Sequence, residues 1–147
     1  MNLSERLNDD MKQAMKNQDK FKLSTIRMIR SAVKNQEIEL KRPLDDNEVL
    51  DIISREIKQR KDSLQEFRKA GRNDLADNVA AEIEIISVYL PEQLTEEEIQ
   101  AIVQQTIQET GASSKAEMGK VMSALMPKVK GRADGKLVNQ IVQQFLQ

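Results

Sequence analysis

The sequence predicts an all-α protein, with an N-terminal four-helix unit followed by a small C-terminal three-helix domain. Three observations carry that reading. Aromatic residues make up only 3% of the chain, and five glycines and three prolines leave long stretches without a breaker, a composition that favours helix formers over strand formers. Apolar residues recur every three or four positions. Polar cap residues stand at segment starts, with glutamate three positions later before an apolar run at Asp45/Glu48, Thr95/Glu98 and Ser114/Glu117. A hydrophobic content of 39% is enough for packed cores.

Ser4 is placed to cap a first short helix with Leu7, Met11, Ala14 and Met15 on one stripe, ending near Asn17. Asp19 caps a second, carrying Phe21, Ile26, Ile29, Val33 and Leu40 and stopped by Pro43. Asp45 with Glu48 opens a long third helix through Leu50, Ile53, Ile57, Leu64 and Phe67 to Gly71, about 25 residues or roughly 37 Å. Asp74 begins a fourth, with Leu75, Val79, Ile83, Ile86 and Leu90, closed by Pro91.

The segment LPEQL breaks the chain into units 1–94 and 95–147. Thr95 and Glu98 start the fifth helix (Ile99, Ile102, Val103, Ile107), which ends at Gly111. Ser114 with Glu117 starts the sixth (Met118, Val121, Met122, Leu125), with a methionine stripe at 118, 122 and 126 that reads as core. The stretch MPKVKGRADG forces a turn, and Asp134 caps a last helix whose buried face is Leu137, Val138, Ile141, Val142 and Phe145. The second unit is near the lower size limit for folding alone.

Composition removes much enzymology. No cysteine and no histidine is present, which excludes disulfides, thiolate metal sites and the side chain that most readily moves protons near neutral pH. No nucleotide-binding glycine motif or paired-carboxylate arrangement stands out, so the expectation is no cofactor, no metal and no catalytic residue. The amino terminus MNLSERLNDDMKQ is polar and reaches no continuous apolar run, which predicts no membrane association and a cytoplasmic location.

The net charge of −1 argues against a uniformly basic nucleic-acid coat, but not against local patches. Lys20, Arg27, Lys34 and Lys41 lie at heptad intervals on the second helix with Arg30 beside them, a secondary basic stripe. A charge run of this kind is ordinarily the wet face of a helix, and the acidic fourth helix is an alternative internal partner. The third helix interleaves its cations with acids, which contribute only a few tenths of a kcal/mol per pair.

The C-terminal stretch differs. Lys115, Lys120, Lys128, Lys130, Arg132 and Lys136 face only Glu117 and Asp134 as acids between residues 115 and 136. Gly131 permits close approach or positive φ, and the helix start at Asp134–Gly135 offers amides to an anion. The plainer reading is stop, turn and cap with lysines for solubility. No aromatic residue is interleaved, so any nucleic acid would be read by shape and phosphate position.

The segment MGKVMSALMPKVKGRADGKLVNQIVQQFL resembles the C-terminal signature of the GatB/YqeY family, and RLNDDMKQAMKNQDKFKLSTIRMIRSAVKNQEIE is similar to the start of its free-standing bacterial members. The family pattern falls on Gly119, Lys120, Met122, Lys130, Gly131, Arg132, Ala133, Val138 and Asn139; Ser123 stands where many relatives carry glycine. The resemblance implies kinship to the helical and tail domains of the B subunit of glutamine-dependent tRNA amidotransferase, a carbon-nitrogen ligase, without the domain that performs its chemistry. It further implies a tRNA-binding or amidotransferase-related accessory protein, with tRNA and an aminoacyl-tRNA-modifying enzyme as partners. The expected RNA-binding residues are Lys120, Lys128, Lys130, Gly131, Arg132, Lys136 and Asn139. The alternatives are an interaction module docking on an amidotransferase or other partner through the N-terminal helices and, last, a ligase using glutamine as amido donor.

Overall fold

In a computed structural model, which describes residues 1–146, the chain forms seven α-helices and no strand among the described residues. Gln147, the last residue of the expected tail domain, lies outside them. The helices are α1 (Leu3–Lys16), α2 (Lys20–Leu40), α3 (Asp46–Lys69), α4 (Asn73–Ser87), α5 (Glu96–Thr110), α6 (Met118–Val129) and α7 (Gly135–Phe145). They form two compact units, Met1–Leu90 and Pro91–Gln147. The division falls after Leu90 rather than after residue 94 because Gln93 and Leu94 hydrogen-bond to the turn at Gly131 and Arg132.

In the first unit α3 and α4 form a hairpin, with α1 and α2 paired against it. Its core holds Leu7, Ile26, Ile29, Val33, Val49, Ile52, Ile53, Ile57, Ile86 and Tyr89. Four sequence expectations are corrected here. The cap of α1 is Asn2, not Ser4: the Asn2 oxygen accepts from the Glu5 amide at 2.8 Å and the Glu5 carboxylate accepts from the Asn2 amide at 3.3 Å, because only Asn2 has glutamate three residues on. Met15 is 51% exposed because it lies off the buried stripe of α1, Leu7 and Ala14, and Phe21 and Leu40 are 41% and 40% exposed because the buried stripe of α2 is Thr25, Ile26, Ile29 and Val33. α4 starts one residue before Asp74 on Arg72 as N-cap, with no side-chain cap. It also stops at Ser87, well before Pro91: Tyr89, 4% exposed, turns inward and its hydroxyl donates to Asp10 Oδ2 at 2.5 Å.

That tyrosine ties the end of α4 to α1. The Arg6 guanidinium lies 4.8 Å from the Tyr89 ring centroid and donates to the Val88 carbonyl at 3.0 Å. Burial first, and the bond to Asp10 second, push the phenol well above its ordinary value. Arg60, whose side chain is 12% exposed, bridges Glu56 at 2.6 Å and Glu82 at 2.7 Å, linking α3 to α4.

In the second unit α5, α6 and α7 pack pairwise around Ile99, Val103, Val121, Leu125, Val129, Val138, Ile141, Val142 and Leu146. Thr95 and Glu98 form the capping box of α5. The approach to α6 is different from a simple Ser114 cap: residues Lys115–Glu117 make a 3-10 turn, and the Glu117 carboxylate accepts from the Ser113 amide at 2.5 Å. Met126 is 40% exposed, so the methionine stripe is core only at Met118 and Met122. Phe145 is 37% exposed, while Leu146 is buried in its place.

Candidate functional site

The basic bend is shorter than its sequence suggests. Pro127 sits inside α6, which runs on to Val129, so the turn proper is Lys130–Asp134. Proline lacks an N–H, which leaves the Ser123 carbonyl without its usual helical donor, a loss tolerated near a helix end. Val129 anchors the end of α6 in the core at 1% exposure. The Arg132 amide then donates to the Val129 carbonyl at 2.9 Å, and Gly131 takes φ 73°, a left-handed value that a residue with Cβ reaches only at a cost.

The residues Pro91–Leu94 clamp this turn. Gln93 Nε2 donates to the Gly131 carbonyl at 2.8 Å and to the Pro91 carbonyl at 2.9 Å. The Leu94 amide donates to the Arg132 carbonyl at 2.8 Å, and Arg132 Nε donates to the Glu92 carbonyl at 3.3 Å. The backbone at 131–132 is therefore held by bonds at both of its carbonyls. Sequence reasoning missed Gln93: nothing local marks a linker glutamine as the partner of a turn so distant along the chain.

The expected cations are not equivalent. Lys128 Nζ donates to Glu109 at 2.8 Å and to the Thr106 hydroxyl at 3.0 Å. Glu109 is in turn held below its ordinary carboxylate value by its bond to Lys128. Lys120, Lys130 and Lys136 are exposed, and Lys120 and Lys136 form no ion pair among the described residues. Asn139 is half-buried on α7, its carbonyl oxygen accepting from Gln143 Nε2 at 2.9 Å, which leaves its NH2 group as the donor. The helix start is occupied from within: Asp134 Oδ1 accepts from the Lys136 amide at 3.2 Å, so its carboxylate already supplies an anion to α7.

On α2 the secondary stripe divides. Lys20, Arg27 and Lys34 are exposed, whereas Arg30 turns toward α1 and its Nη1 lies 2.9 Å from Met11 Sδ. The acidic α4 pairs with Arg60 of α3 through Glu82, and among the described residues no ion pair joins it to this stripe. Among the described residues no group of three carboxylates could hold a metal ion, and no helix is long and apolar enough to cross a membrane.

A profile of Yqey-like proteins matches residues 4–146. The chain belongs to the YqeY family. Its similar proteins include "Altered inheritance of mitochondria protein 41, mitochondrial" of Lachancea thermotolerans, 42% identical over 98 residues, or 65% of this chain and 52% of that protein. The same-named proteins of Kluyveromyces lactis and Saccharomyces cerevisiae are 42% identical over 84 residues and 38% identical over 94 residues, spanning 56% and 63% of this chain and 45% and 51% of theirs. The YqeY-family chain thus spans about half the length of the curated relatives it matches. These relatives are yeast proteins with mitochondrial names, where the resemblance pointed to bacterial ones, and they overturn the expectation of a cytoplasmic location.

Proposed function

We propose that this chain is a tRNA-binding accessory protein of tRNA-dependent amidation, gripping the RNA backbone through its second unit and carrying no active site of its own. Lys120, Lys130, Arg132 and Lys136 meet phosphates, Gly131 allows the backbone to come close, and the Asn139 NH2 donates to backbone or ribose. Lys128 supports the scaffold through Glu109 instead. The observation that carries the reading is the clamped turn, in which Gln93 and Leu94 hold Gly131 and Arg132 while cations flank them on both sides. A rigid cationic turn without aromatic residues suits a folded RNA recognised by shape and phosphate position.

The test is binding of the purified chain to bulk tRNA across a salt series, beside the doubly charge-reversed Lys130→Glu/Arg132→Glu variant. Four phosphate contacts at about 0.8 each predict a log–log slope near −3.2, an affinity loss of about 80-fold between roughly 50 and 200 mM salt. Binding should collapse in the variant. Equal affinity of the two proteins would reject the site, and absence of any salt-steep binding would reject the function.

A further inference from the structure

The solvent face of α2 carries a feature that the RNA reading does not use. Its core face is Thr25, Ile26, Ile29 and Val33. On another face, an open groove of about 570 Å³ runs along the helix from Lys20 to Asn35. It shares Lys20 and Leu23 with a second hollow of about 530 Å³ that extends to Met15 and Gln18 at the α1–α2 turn. The stretch from residue 20 to residue 35 rises about 22 Å, the length of about four helical turns.

The chemistry of the lining is mixed in one particular way. Leu23 and Ala32 form an apolar floor with Met28 and Met15, which are 42% and 51% exposed. Ser24 and Ser31 are small enough to let another backbone approach. Lys20 and Arg27 supply the charge, no acid lines either hollow, and neither cation is in an ion pair among the described residues. Arg60 reaches Met28 Sδ at 3.9 Å, but its own charge is met by Glu56 and Glu82. The helix has five cations, Lys20, Lys22, Arg27, Arg30 and Lys34, before its first acid at Glu37.

We infer that this face docks an acidic amphipathic helix of a partner protein. Apolar side chains at i, i+3, i+4 and i+7 of that helix lie over Leu23, Met28 and Met15, and carboxylates on its flanks meet Lys20 and Arg27. Methionines adapt to such side chains, and burying them removes an exposed apolar strip from water. RNA fits the face less well. Phosphates would leave the apolar floor uncovered, and no aromatic residue lines the groove to stack a base. The inference concerns the first unit alone and stands independently of the tRNA reading.

A displayed library of helical peptides tests it, with a fixed leucine stripe and flank positions varied among Glu, Gln and Lys, selected on the full chain. Glutamate flanks should be enriched. The best peptide, followed by fluorescence anisotropy, should lose about tenfold or more in affinity with Arg27→Glu. Lysine at the facing flank should recover that loss, and Ser31→Trp should abolish binding by filling the groove. Both residues are exposed, so the circular dichroism of both variants should match the parent. Failure to select any binder, enrichment of Gln or Lys flanks, or indifference to both substitutions would overturn the inference. Displacement of the peptide by tRNA would also overturn it, assigning the face to nucleic acid.

Discussion

Lys128 and Lys136 carry the same charge within one turn and a half of the bend, and the structure predicts opposite consequences for removing them. Lys128 Nζ lies 2.8 Å from a Glu109 carboxylate oxygen and 3.0 Å from the Thr106 hydroxyl, so its positive charge already has a carboxylate partner at the surface and adds little counterion release when a phosphate arrives. Lys136 is exposed and in no ion pair among the described residues. With Lys120, Lys130, Arg132 and Lys136 as contacts at about 0.8 each, the slope of log affinity against log salt is near −3.2; Lys136→Gln lowers its magnitude to about 2.4, and Lys128→Gln leaves it near 3.2. Across a fourfold change in salt the parent and Lys128→Gln lose about 80-fold in affinity, and Lys136→Gln about 30-fold. Filter binding or anisotropy on bulk tRNA at five or so salt concentrations resolves a threefold difference of this kind. An equal loss of slope in both variants would refute the reasoning, because it would mean that Lys128 leaves Glu109 to meet the RNA.

Gln93→Ala removes the donor to the Gly131 carbonyl, so tRNA affinity should fall by several fold while the salt slope stays at the parent value, since every cation remains; a changed slope would show that Gln93 does more than hold the turn. Glu48 is pulled down to about 2 by its bond to Arg42, and then by the Asp45 amide. Its folded value lies below its unfolded one, so its contribution to stability is present above the ordinary glutamate range and is lost as pH falls through about 2. Acid unfolding followed by circular dichroism should therefore be flatter over that window in Glu48→Gln than in the parent. Ile53 is 0% exposed in the first core, and Ile53→Ala should cost about 2–5 kcal/mol in urea unfolding, a loss that a well-packed exposed position would not show.

Much of the fold was legible because its signals are local. The boxes Asp45/Glu48 and Thr95/Glu98, the Asp19 and Asp134 caps and the glycine stop at 111 each use residues within one helical turn, and all appear as read. Several misses were decided by a distant residue. Nothing near Tyr89 marks Asp10 as its acceptor, yet that bond accompanies the early end of α4. Pro127 reads as a stop but lies two residues inside the end of α6, where Val129 is held by the core. The buried positions Val49 and Ile52 of α3 were passed over for Leu50 because the apolar stripe there is broad enough to be indexed in two ways.

For the candidate site the same distinction has a chemical consequence. Residue type and spacing located the cations, and their partners determine what each can offer an anion. Lys128 is met by a carboxylate 19 positions away, Arg132 is partly spent on the Glu92 carbonyl 40 positions away, and Asp134 fills the helix start that looked open to a ligand. Each partner narrows the electrostatic footprint without emptying it, so a weak but salt-steep interaction fits the site better than a tight one. A site of this kind gains specificity from the placement of its few remaining charges. The Gln93 clamp contributes to such placement, because it holds the backbone at Gly131 and Arg132 beside Lys130. Discrimination between folded tRNA and a single strand of equal length is therefore the property most directly linked to the clamp, and in Gln93→Ala it should weaken together with the several-fold loss of tRNA affinity.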